Sequence, residues 1–310
     1  MKHFLSLENI DKDVLLSLIN EAVLFKKDRP SYGRLFLDGK SVALLFEKPS
    51  TRTRVSFEVG VLEMGGKTIF LSSFEVGLGK REAIKDVART LSRYVHALII
   101  RTFAHSSVEE LAAYSTVPVI NALSDFLHPC QALSDMFTIR ERFGRLEGIN
   151  LCFIGDANNV FRSLAYACAK LGVRMHYACP KKYGPDSGFV EKINSIAQEN
   201  GYGEILSGSN DLKEAVAESD VLYTDVWASM GQEKELLERQ KAFASYQINE
   251  QLLFVAKEDA VVMHCLPAHR GEEITDEIIE SPRSIVFDQA ENRLHMQKAV
   301  LTRVLGQEGM

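Results

Sequence analysis

The sequence lacks most features of an extracellular, membrane-spanning or disulfide-stabilised protein. It has only five cysteines in 310 residues, at positions 130, 152, 168, 179 and 265, and no two of them have C-x-x-C spacing. This pattern favours free thiols in a reducing compartment over disulfides or a zinc site. No apolar run reaches the ~18 residues of a membrane span. Acidic residues soon interrupt the apolar N-terminal stretch, unlike a signal or transit peptide. We therefore expect a cytoplasmic protein.

The sequence also lacks an excess of positive charge, internal repeats and low-complexity linkers. The formal net charge of -6 argues against nucleic acid or an anionic membrane as the main partner. Hydrophobic residues make up 46% and charged residues 25%, which is ordinary for a globular protein. The length allows one large or two ordinary α/β domains.

Short apolar segments alternate with helical patterns along the chain. The predicted strands are 41–46, 68–72, 97–101, 117–121, 151–154, 173–178, 221–224, 261–264 and 285–287. Val55, Val59 and Leu62 fall on one helical face, and further helices are predicted at 81–94 and 132–143. This alternation predicts α/β domains, each a mostly parallel sheet flanked by helices. Four strands precede position 125 and five follow position 150, so helix 132–143 is the predicted connector between two domains.

The segment 46–54, Phe-Glu-Lys-Pro-Ser-Thr-Arg-Thr-Arg, has the properties of an anion site. It follows the first predicted strand and leads into a helix, where Ser50 or Thr51 is a suitable N-cap. A helix N-terminus presents unpaired N–H groups that suit a phosphate, and Arg52 adds a planar cation. Two first-turn arginines oppose the helix dipole, so a bound anion would relieve an unfavourable arrangement. The alternative interpretation is a well-capped helix with solvated arginines.

Four ordered motifs resemble those of the aspartate/ornithine carbamoyltransferase family. Ser-Thr-Arg-Thr-Arg at 50–54 and His-Pro-Cys-Gln at 128–131 are similar to the family's carbamoyl phosphate segments. Asp-Val-Trp-Ala-Ser-Met-Gly at 225–231 and His-Cys-Leu-Pro at 264–267 resemble the ornithine branch. The likeness extends over nearly the whole chain. It implies a carbamoyl phosphate-binding domain at 1–133, completed by a C-terminal helix at about 294–310, and an ornithine-binding domain at 134–293.

The resemblance also implies roles for individual residues. The residues expected to bind carbamoyl phosphate are Ser50, Thr51, Arg52, Thr53, Arg101, His128, Gln131, Cys265, Leu266 and Arg293. The residues expected to bind ornithine are Asn159, Asp225, Ser229 and Met230.

The reaction implied is attack of the δ-amine of ornithine on the carbamoyl carbon, with phosphate leaving. Arg101 and His128 are expected to stabilise charge on the carbonyl oxygen. Asp225 and Cys265 are expected to bind and deprotonate the amine. No cofactor and no metal is required for this chemistry.

Each residue also has an ordinary structural interpretation. His128 and Asn159 suit turns, and Arg101 could simply reach water from the end of a strand. Asp225 could cap the following helix, and Cys265 could be a buried thiol. Because all these positions follow predicted strands and fit one reaction together, the functional interpretation is favoured.

One loop departs from the family pattern. In the family, the loop after the second strand completes the active site of a neighbouring subunit, and many relatives have Gln or His where this chain has Gly77. Lys80 or Arg81 could replace that contact.

The resemblance implies a homotrimer or a multiple of trimers. Two other functions stay open: carbamoyl transfer to another amine, such as putrescine or an acylated ornithine, and a non-catalytic regulatory paralogue.

Overall fold

The chain forms two compact α/β units. The structure, a computed structural model, describes residues 1–209, 211–228, 231 and 233–306. The first unit comprises residues 1–137 and 291–310, and the second comprises residues 138–290. The predicted domain boundaries lay after residues 133 and 293, whereas the compact units divide after residues 137 and 290. The ligand that each domain binds stays a prediction.

The first unit contains a four-stranded parallel sheet in the order β2-β1-β3-β4. Its strands are β1 (Ser41–Phe46), β2 (Lys67–Ser72), β3 (Ala97–Arg101) and β4 (Val119–Leu123). Its helices are α1 (Lys12–Lys27), α2 (Thr51–Glu63), α3 (Ser73–Val76), α4 (Ile84–Leu91) and α5 (His105–Tyr114), and α6 (Pro129–Phe143) begins in it. The central strands β1 and β3 are buried almost throughout, as the apolar runs in the sequence predict.

Helix α2 packs with a different face from the one suggested by its apolar spacing. Phe57 and Val61 are fully buried, and each such side chain stabilises the fold by about 1.5–3 kcal/mol. Val55 and Leu62 are instead 48% and 71% exposed. The helix therefore has apolar residues on two faces, of which one builds the core of this unit and the other lies at its surface.

Two predicted elements of the first unit shift at their ends. Strand β4 begins at Val119 rather than residue 117 because Pro118 has no N–H for the sheet. The N–H of Val117 is already bound by the Ser115 hydroxyl. Helix α4 is shorter than the predicted 81–94, since Gly77 to Glu82 form a tight turn with Arg81 N–H bonded to the Gly77 carbonyl.

The second unit contains a five-stranded parallel sheet in the order β7-β6-β5-β8-β9. Its strands are β5 (Asn150–Ile154), β6 (Arg174–Ala178), β7 (Leu206–Gly208), β8 (Val221–Thr224) and β9 (Val261–His264). Its helices are α7 (Asn159–Leu171), α8 (Ser187–Glu199), α9 (Leu212–Val216), α10 (Leu236–Phe243), α11 (Glu250–Val255) and α12 (Asp276–Ile279). Helix α13 (Val286–Leu305) begins in this unit and ends in the first, and two single 3₁₀ turns lie at Lys181–Tyr183 and Glu233–Glu235.

The strand predicted at 285–287 is wrong. Residues from Val286 onward form the start of α13, and Ser284 makes only a single parallel bridge with Val262 of β9. Its short apolar run suits a buried helix start as well as a strand. The fifth strand is instead β7, whose sequence Leu-Ser-Gly has no apolar pattern.

Both sheets place their strand ends beside the polar motifs of the sequence. In parallel α/β sheets, ligands bind outside the carboxyl ends of the strands. Arg101 ends β3, Asp225 follows β8 and Cys265 follows β9. Within the described ranges, no helix combines the length and hydropathy needed to cross a bilayer.

Candidate active site

The N-terminus of α2 is built as the sequence predicts. Ser50 is the N-cap in extended conformation, and its hydroxyl accepts the Thr53 N–H at 3.3 Å. Arg54 stacks on the Phe70 ring at 3.6 Å and pairs with Glu58 at 3.1 Å. Its charge is therefore already engaged on the flank of the helix. Arg52, on the other arginine position of the first turn, is the one that the resemblance assigns to phosphate.

Arg293 of α13 connects two of the predicted site residues. Its guanidinium donates to the Thr53 hydroxyl at 3.2 Å and makes a short contact with the Gln131 amide oxygen. The Gln131 amide nitrogen donates in turn to the Asp135 carboxylate at 2.8 Å. Arg293 and Gln131 are 4% and 2% exposed, so these polar groups form a buried, ordered network. A network of this kind fixes rotamers.

Arg101 and His128 complete the group in the first unit. Both are 5% exposed. Burial, together with the charges of Arg293 and Arg101, holds the pKa of His128 well below its usual value. His128 is therefore neutral at physiological pH, and a neutral imidazole can donate one hydrogen bond to a carbonyl oxygen. Arg101, His128 and Arg293 were all predicted from the sequence. That they lie near one another is seen only in the structure.

Two supporting contacts next to this group were missed from the sequence. Glu47 accepts a short hydrogen bond from Thr102, and buried Lys48 makes a short contact with Asp125 and lies 4.2 Å from the Phe103 ring centroid. These contacts connect the ends of β1, β3 and β4. Glu-Lys directly before the anion motif was the only available signal, and it does not reveal the partners.

Asp225 is the centre of the group in the second unit. Its Oδ1 accepts the Cys265 thiol at 3.0 Å and the Val226 N–H at 2.8 Å, and its Oδ2 accepts the Asn158 amide at 2.7 Å. Asp225 is 8% exposed. The structure thus brings together Asp225 and Cys265, two predicted catalytic residues that are 40 positions apart in the sequence.

Asn158, the neighbour of the predicted residue Asn159, donates its side-chain amide to Asp225. The Asn158 side chain also caps α7 by accepting the N–H groups of Val160 and Phe161 at 3.0 and 3.1 Å. Asn159 is the first residue of that helix, beside the cap. The binding role of Asn159 stays a prediction. Ser229 and Met230 lie outside the described residues.

His264 and Glu273 hold the backbone that follows Cys265. The Leu266 N–H donates to His264 Nδ1 at 2.8 Å, so the ring proton is on Nε2, which lies 3.0 Å from Glu273 Oε1. Leu266 has φ of 56°, the left-handed region that L side chains rarely adopt. The His264–Glu273 pair, fully buried, therefore stabilises a strained turn beside the thiol. Glu273 was missed from the sequence, since nothing in its spacing reports the pairing.

Among the residues that the structure describes, two clusters have potential metal-ligating atoms within 4.8 Å of one another. They are Asp225, His264, Cys265 and His269, Glu272, Glu273. In the first cluster both His264 nitrogens already have hydrogen-bond partners, and the thiol is bonded to Asp225. This cluster is organised as a hydrogen-bond network that orients the thiol.

The loop carrying Gly77 has a local reason for its glycine. Gly77 has φ of 51° and follows α3, and an added Cβ would lie 2.8 Å from the Arg81 Cβ. Arg81 itself donates to the Glu75 carbonyl at 3.0 Å. The loop conformation therefore excludes a larger side chain at this position, and the replacement of the family contact by Lys80 or Arg81 stays a prediction.

Comparison with known families gives two matches that together span nearly the whole chain. Residues 2–141 match the model of the aspartate/ornithine carbamoyltransferase carbamoyl-P binding domain, and residues 147–304 match that of the Asp/Orn binding domain. The chain belongs to the aspartate/ornithine carbamoyltransferase family. The expectation from the four motifs is thereby confirmed.

Individual relatives agree with this assignment. The chain is 50% identical to the ornithine carbamoyltransferase of Archaeoglobus fulgidus over 99% of both chains. It is also 50% identical to that of Anoxybacillus flavithermus, over 98% of this chain and 96% of the relative. Among solved structures, the ornithine carbamoyltransferase of Pyrococcus furiosus has a TM-score of 0.94 at 47% identity, covering 99% of this chain and 98% of that chain. An anabolic ornithine carbamoyltransferase from Campylobacter jejuni has a TM-score of 0.92 at 40% identity, covering 99% and 100%.

Proposed function

We propose that the protein transfers the carbamoyl group of carbamoyl phosphate to the δ-amine of L-ornithine, giving L-citrulline and phosphate. The ornithine carbamoyltransferase of Archaeoglobus fulgidus is 50% identical to this chain over 99% of both lengths, and this observation supports ornithine over aspartate as the acceptor. The hydrogen-bonded pair formed by Asp225 and Cys265, which offers a carboxylate for a cationic amine, supports it. The activity belongs to arginine metabolism.

In this proposal the first unit binds carbamoyl phosphate. The N–H groups at the start of α2, with the Ser50, Thr51 and Thr53 hydroxyls and Arg52, hold the phosphate. Arg101 and Arg293 place two buried guanidinium groups near enough to neutral His128 to lower its pKa. Donors that are fixed before reaction stabilise charge on the carbonyl oxygen and then on the leaving phosphate, and loss of one such donor commonly costs ~10²–10³-fold in rate.

The second unit binds ornithine. Asp225 is a buried carboxylate that can pair with the δ-ammonium, and Asn158 and Val226 N–H fix its orientation. The amine reacts only after losing a proton, for which Asp225 and its thiol partner Cys265 are the proposed acceptors. The N–C bond then forms, the C–O bond to phosphate breaks with its electrons leaving on phosphate, and the new ureido nitrogen gives up its second proton to that phosphate. Asn159, Ser229 and Met230 are proposed to bind the α-amino acid end.

We also propose a trimeric assembly in the cytoplasm. Helix α2 presents Val55 and Leu62, and the edge strand β2 presents Ile69, all between 45% and 71% exposed. These apolar side chains lie on neighbouring elements of one sheet edge. Burying an exposed apolar surface of this kind against another subunit is more favourable than leaving it in water.

A citrulline assay with an amine panel tests the proposal. Purified protein is incubated with carbamoyl phosphate and, in separate reactions, ornithine, putrescine, an acylated ornithine or aspartate. Citrulline from ornithine at a kcat/KM well above every other amine is the expected result. Preference for another amine would reassign the acceptor, and absence of any carbamoyl transfer would favour a non-catalytic paralogue.

A further inference from the structure

We propose that Arg239 of α10 is a positioning residue for ornithine, because it ties together the loops that follow three adjacent strands of the second sheet. The inference rests on the proposed function, which assigns the loop after β8 to ornithine recognition. Arg239 belongs to none of the motifs by which the sequence resembles the family.

The contacts of Arg239 reach one residue in each of the three loops. Its Nη1 donates to Asp156 Oδ2 at 2.7 Å, in the loop after β5. The same nitrogen donates to the Trp227 carbonyl at 3.1 Å, in the loop after β8. The guanidinium lies 4.8 Å from the ring centroid of Tyr183, which follows β6. These strands are neighbours in the order β6-β5-β8, so one side chain spans their carboxyl ends.

Arg239 also contacts the other end of the loop after β8, where the chain enters α10. Its Nε donates to Glu235 Oε2 at 3.0 Å, one residue before α10. Trp227 and Glu235 flank the segment that carries Ser229 and Met230, the residues assigned to ornithine by resemblance. Both flanks of this segment are therefore bound to the same guanidinium.

The loop after β5 connects Arg239 with Asp225. Asp156 is bound by Arg239, and two residues later Asn158 donates to Asp225 Oδ2 at 2.7 Å. A shift of Asp156 would move the amide that orients Asp225. Arg239 thus acts on the proposed amine-binding carboxylate through the backbone of this loop.

The ion pair between Arg239 and Asp156 is buried, so its loss is costly. Lysine is a poor replacement for Arg239. Arg239 is 6% exposed, and the side chain of Asp156 is 14% exposed. Burial raises the pKa of Asp156 against the opposing effect of Arg239. Removing one partner of such a pair leaves an uncompensated charge. Only the planar fork of arginine can meet Asp156, Glu235 and the Trp227 carbonyl together.

The test compares Arg239→Lys and Asp156→Asn with the control Glu238→Gln. Glu238 precedes Arg239 in the same helix and pairs with Lys182 in the loop after β6, but both side chains are more than 60% exposed. We expect both test variants to raise the KM for ornithine by about tenfold or more, because misplacement far from the reacting atoms can cost up to ~10²-fold. The KM for carbamoyl phosphate should stay within about twofold, and the control should match wild type.

The outcomes separate this inference from the proposed function. Wild-type kinetics in Arg239→Lys, or equal rises in both KM values, would overturn the positioning role. If Arg239→Lys does not fold, Asp156→Asn gives the same comparison, since it keeps the guanidinium and removes only its buried partner's charge. Failure of the proposed function would show differently, as wild-type protein that makes no citrulline from ornithine.

Discussion

The five cysteines show how surroundings decide the chemistry of one residue type. Burial raises the pKa of Cys130 to about 12 and the pKa of Cys152 still further, so these thiols are inert core groups. Cys265 is partly exposed and donates to Asp225 at 3.0 Å. It is the one thiol of the five that combines partial exposure with a carboxylate partner. These properties suit a role in catalysis rather than in core packing.

Replacing Cys265 by alanine tests that difference. We expect Cys265→Ala to reduce turnover and to weaken ornithine binding, because Asp225 loses the thiol partner that helps orient it. Carbamoyl phosphate binding should be spared. Steady-state kinetics with each substrate varied, and a direct binding measurement for carbamoyl phosphate, provide the check.

Cys152→Ala is the matched control for this variant. Cys152 is fully buried in β5, so its replacement should cost stability, on the order of 1 kcal/mol, without changing either KM. Wild-type kinetics for Cys265→Ala would remove this thiol from the mechanism.

At the residue scale, identities were easier to predict than pairings. Arg101 was predicted as a site residue at the end of the strand 97–101, and His128 was predicted within the motif 128–131. Glu273 was not, because its importance comes from a hydrogen bond to His264 that folding creates. Asn158 was not singled out from the sequence, yet its amide donates to Asp225, 67 positions away. Such contacts depend on how strands are ordered in the sheet, and local sequence does not encode that order.

At the element scale, helix N-termini define both groups of site residues. Ser50 caps helix α2 after β1, and Asn158 caps helix α7 after β5. In each case the cap is a side chain that satisfies backbone N–H groups of the first turn. A short strand–cap–helix unit therefore presents donors at the carboxyl edge of each sheet.

The cap of α7 allows a matched comparison between two asparagines. Asn158→Ala removes a cap and the contact with Asp225, whereas Asn249→Ala removes only the cap of α11, where its side chain accepts the Leu252 N–H at 3.0 Å. Both variants should lose about 0.5–2 kcal/mol of stability in urea unfolding. Only Asn158→Ala should raise the KM for ornithine. Equal kinetics in the two variants would mean that Asn158 is a cap alone.

Strands were predicted correctly where the whole segment is apolar and buried. The prediction failed at a run of only three apolar residues. Strands β1, β3, β8 and β9 were predicted with the bounds that the structure has, because each is an apolar run that fits a central or covered parallel strand. The segment 285–287 was predicted as a strand on the same grounds, yet it starts a helix that continues to Leu305. Three apolar residues do not distinguish a strand from a helix turn.

At the scale of the whole molecule, five histidines make stability depend on pH. Burial is the largest cause that lowers the pKa of His128, His105, His176, His295 and His3, in the case of His3 to about 4. Below the usual value near 6.5, the unfolded chain binds protons that the folded chain does not. Their contribution to stability is therefore fully present above about pH 6.5 and is lost as pH falls towards the folded-state pKa values.

The free energy of unfolding should thus decrease between about pH 7 and about pH 5. His3→Gln isolates one contributor, since glutamine does not titrate and can still accept the Val119 N–H that His3 Nδ1 accepts at 3.1 Å. We expect a shallower pH dependence for this variant in urea unfolding. An unchanged slope would show that His3 titrates normally in the folded protein.

The exposed apolar face of α2 provides a test of assembly. Leu62→Lys places a charge on the proposed contact surface and should lower the sedimentation mass towards that of one chain. Leu237 in α10 is similarly exposed, at 73% against 71% for Leu62, so Leu237→Lys serves as the control and should keep the wild-type mass. A single-chain mass for active wild-type protein would contradict the trimer.

The division of the chain has a consequence for the order of synthesis. Residues 138–290 form one continuous unit, whereas the first unit combines residues 1–137 with residues 291–310. Arg293, which contacts Thr53 and Gln131, belongs to the segment translated after the whole second unit. A nascent chain therefore has the N-terminus of α2 long before it has the guanidinium that contacts Thr53. Ribosome-bound chains that stop before residue 291 should be unable to retain carbamoyl phosphate, so substrate binding itself reports that translation has passed the final helix.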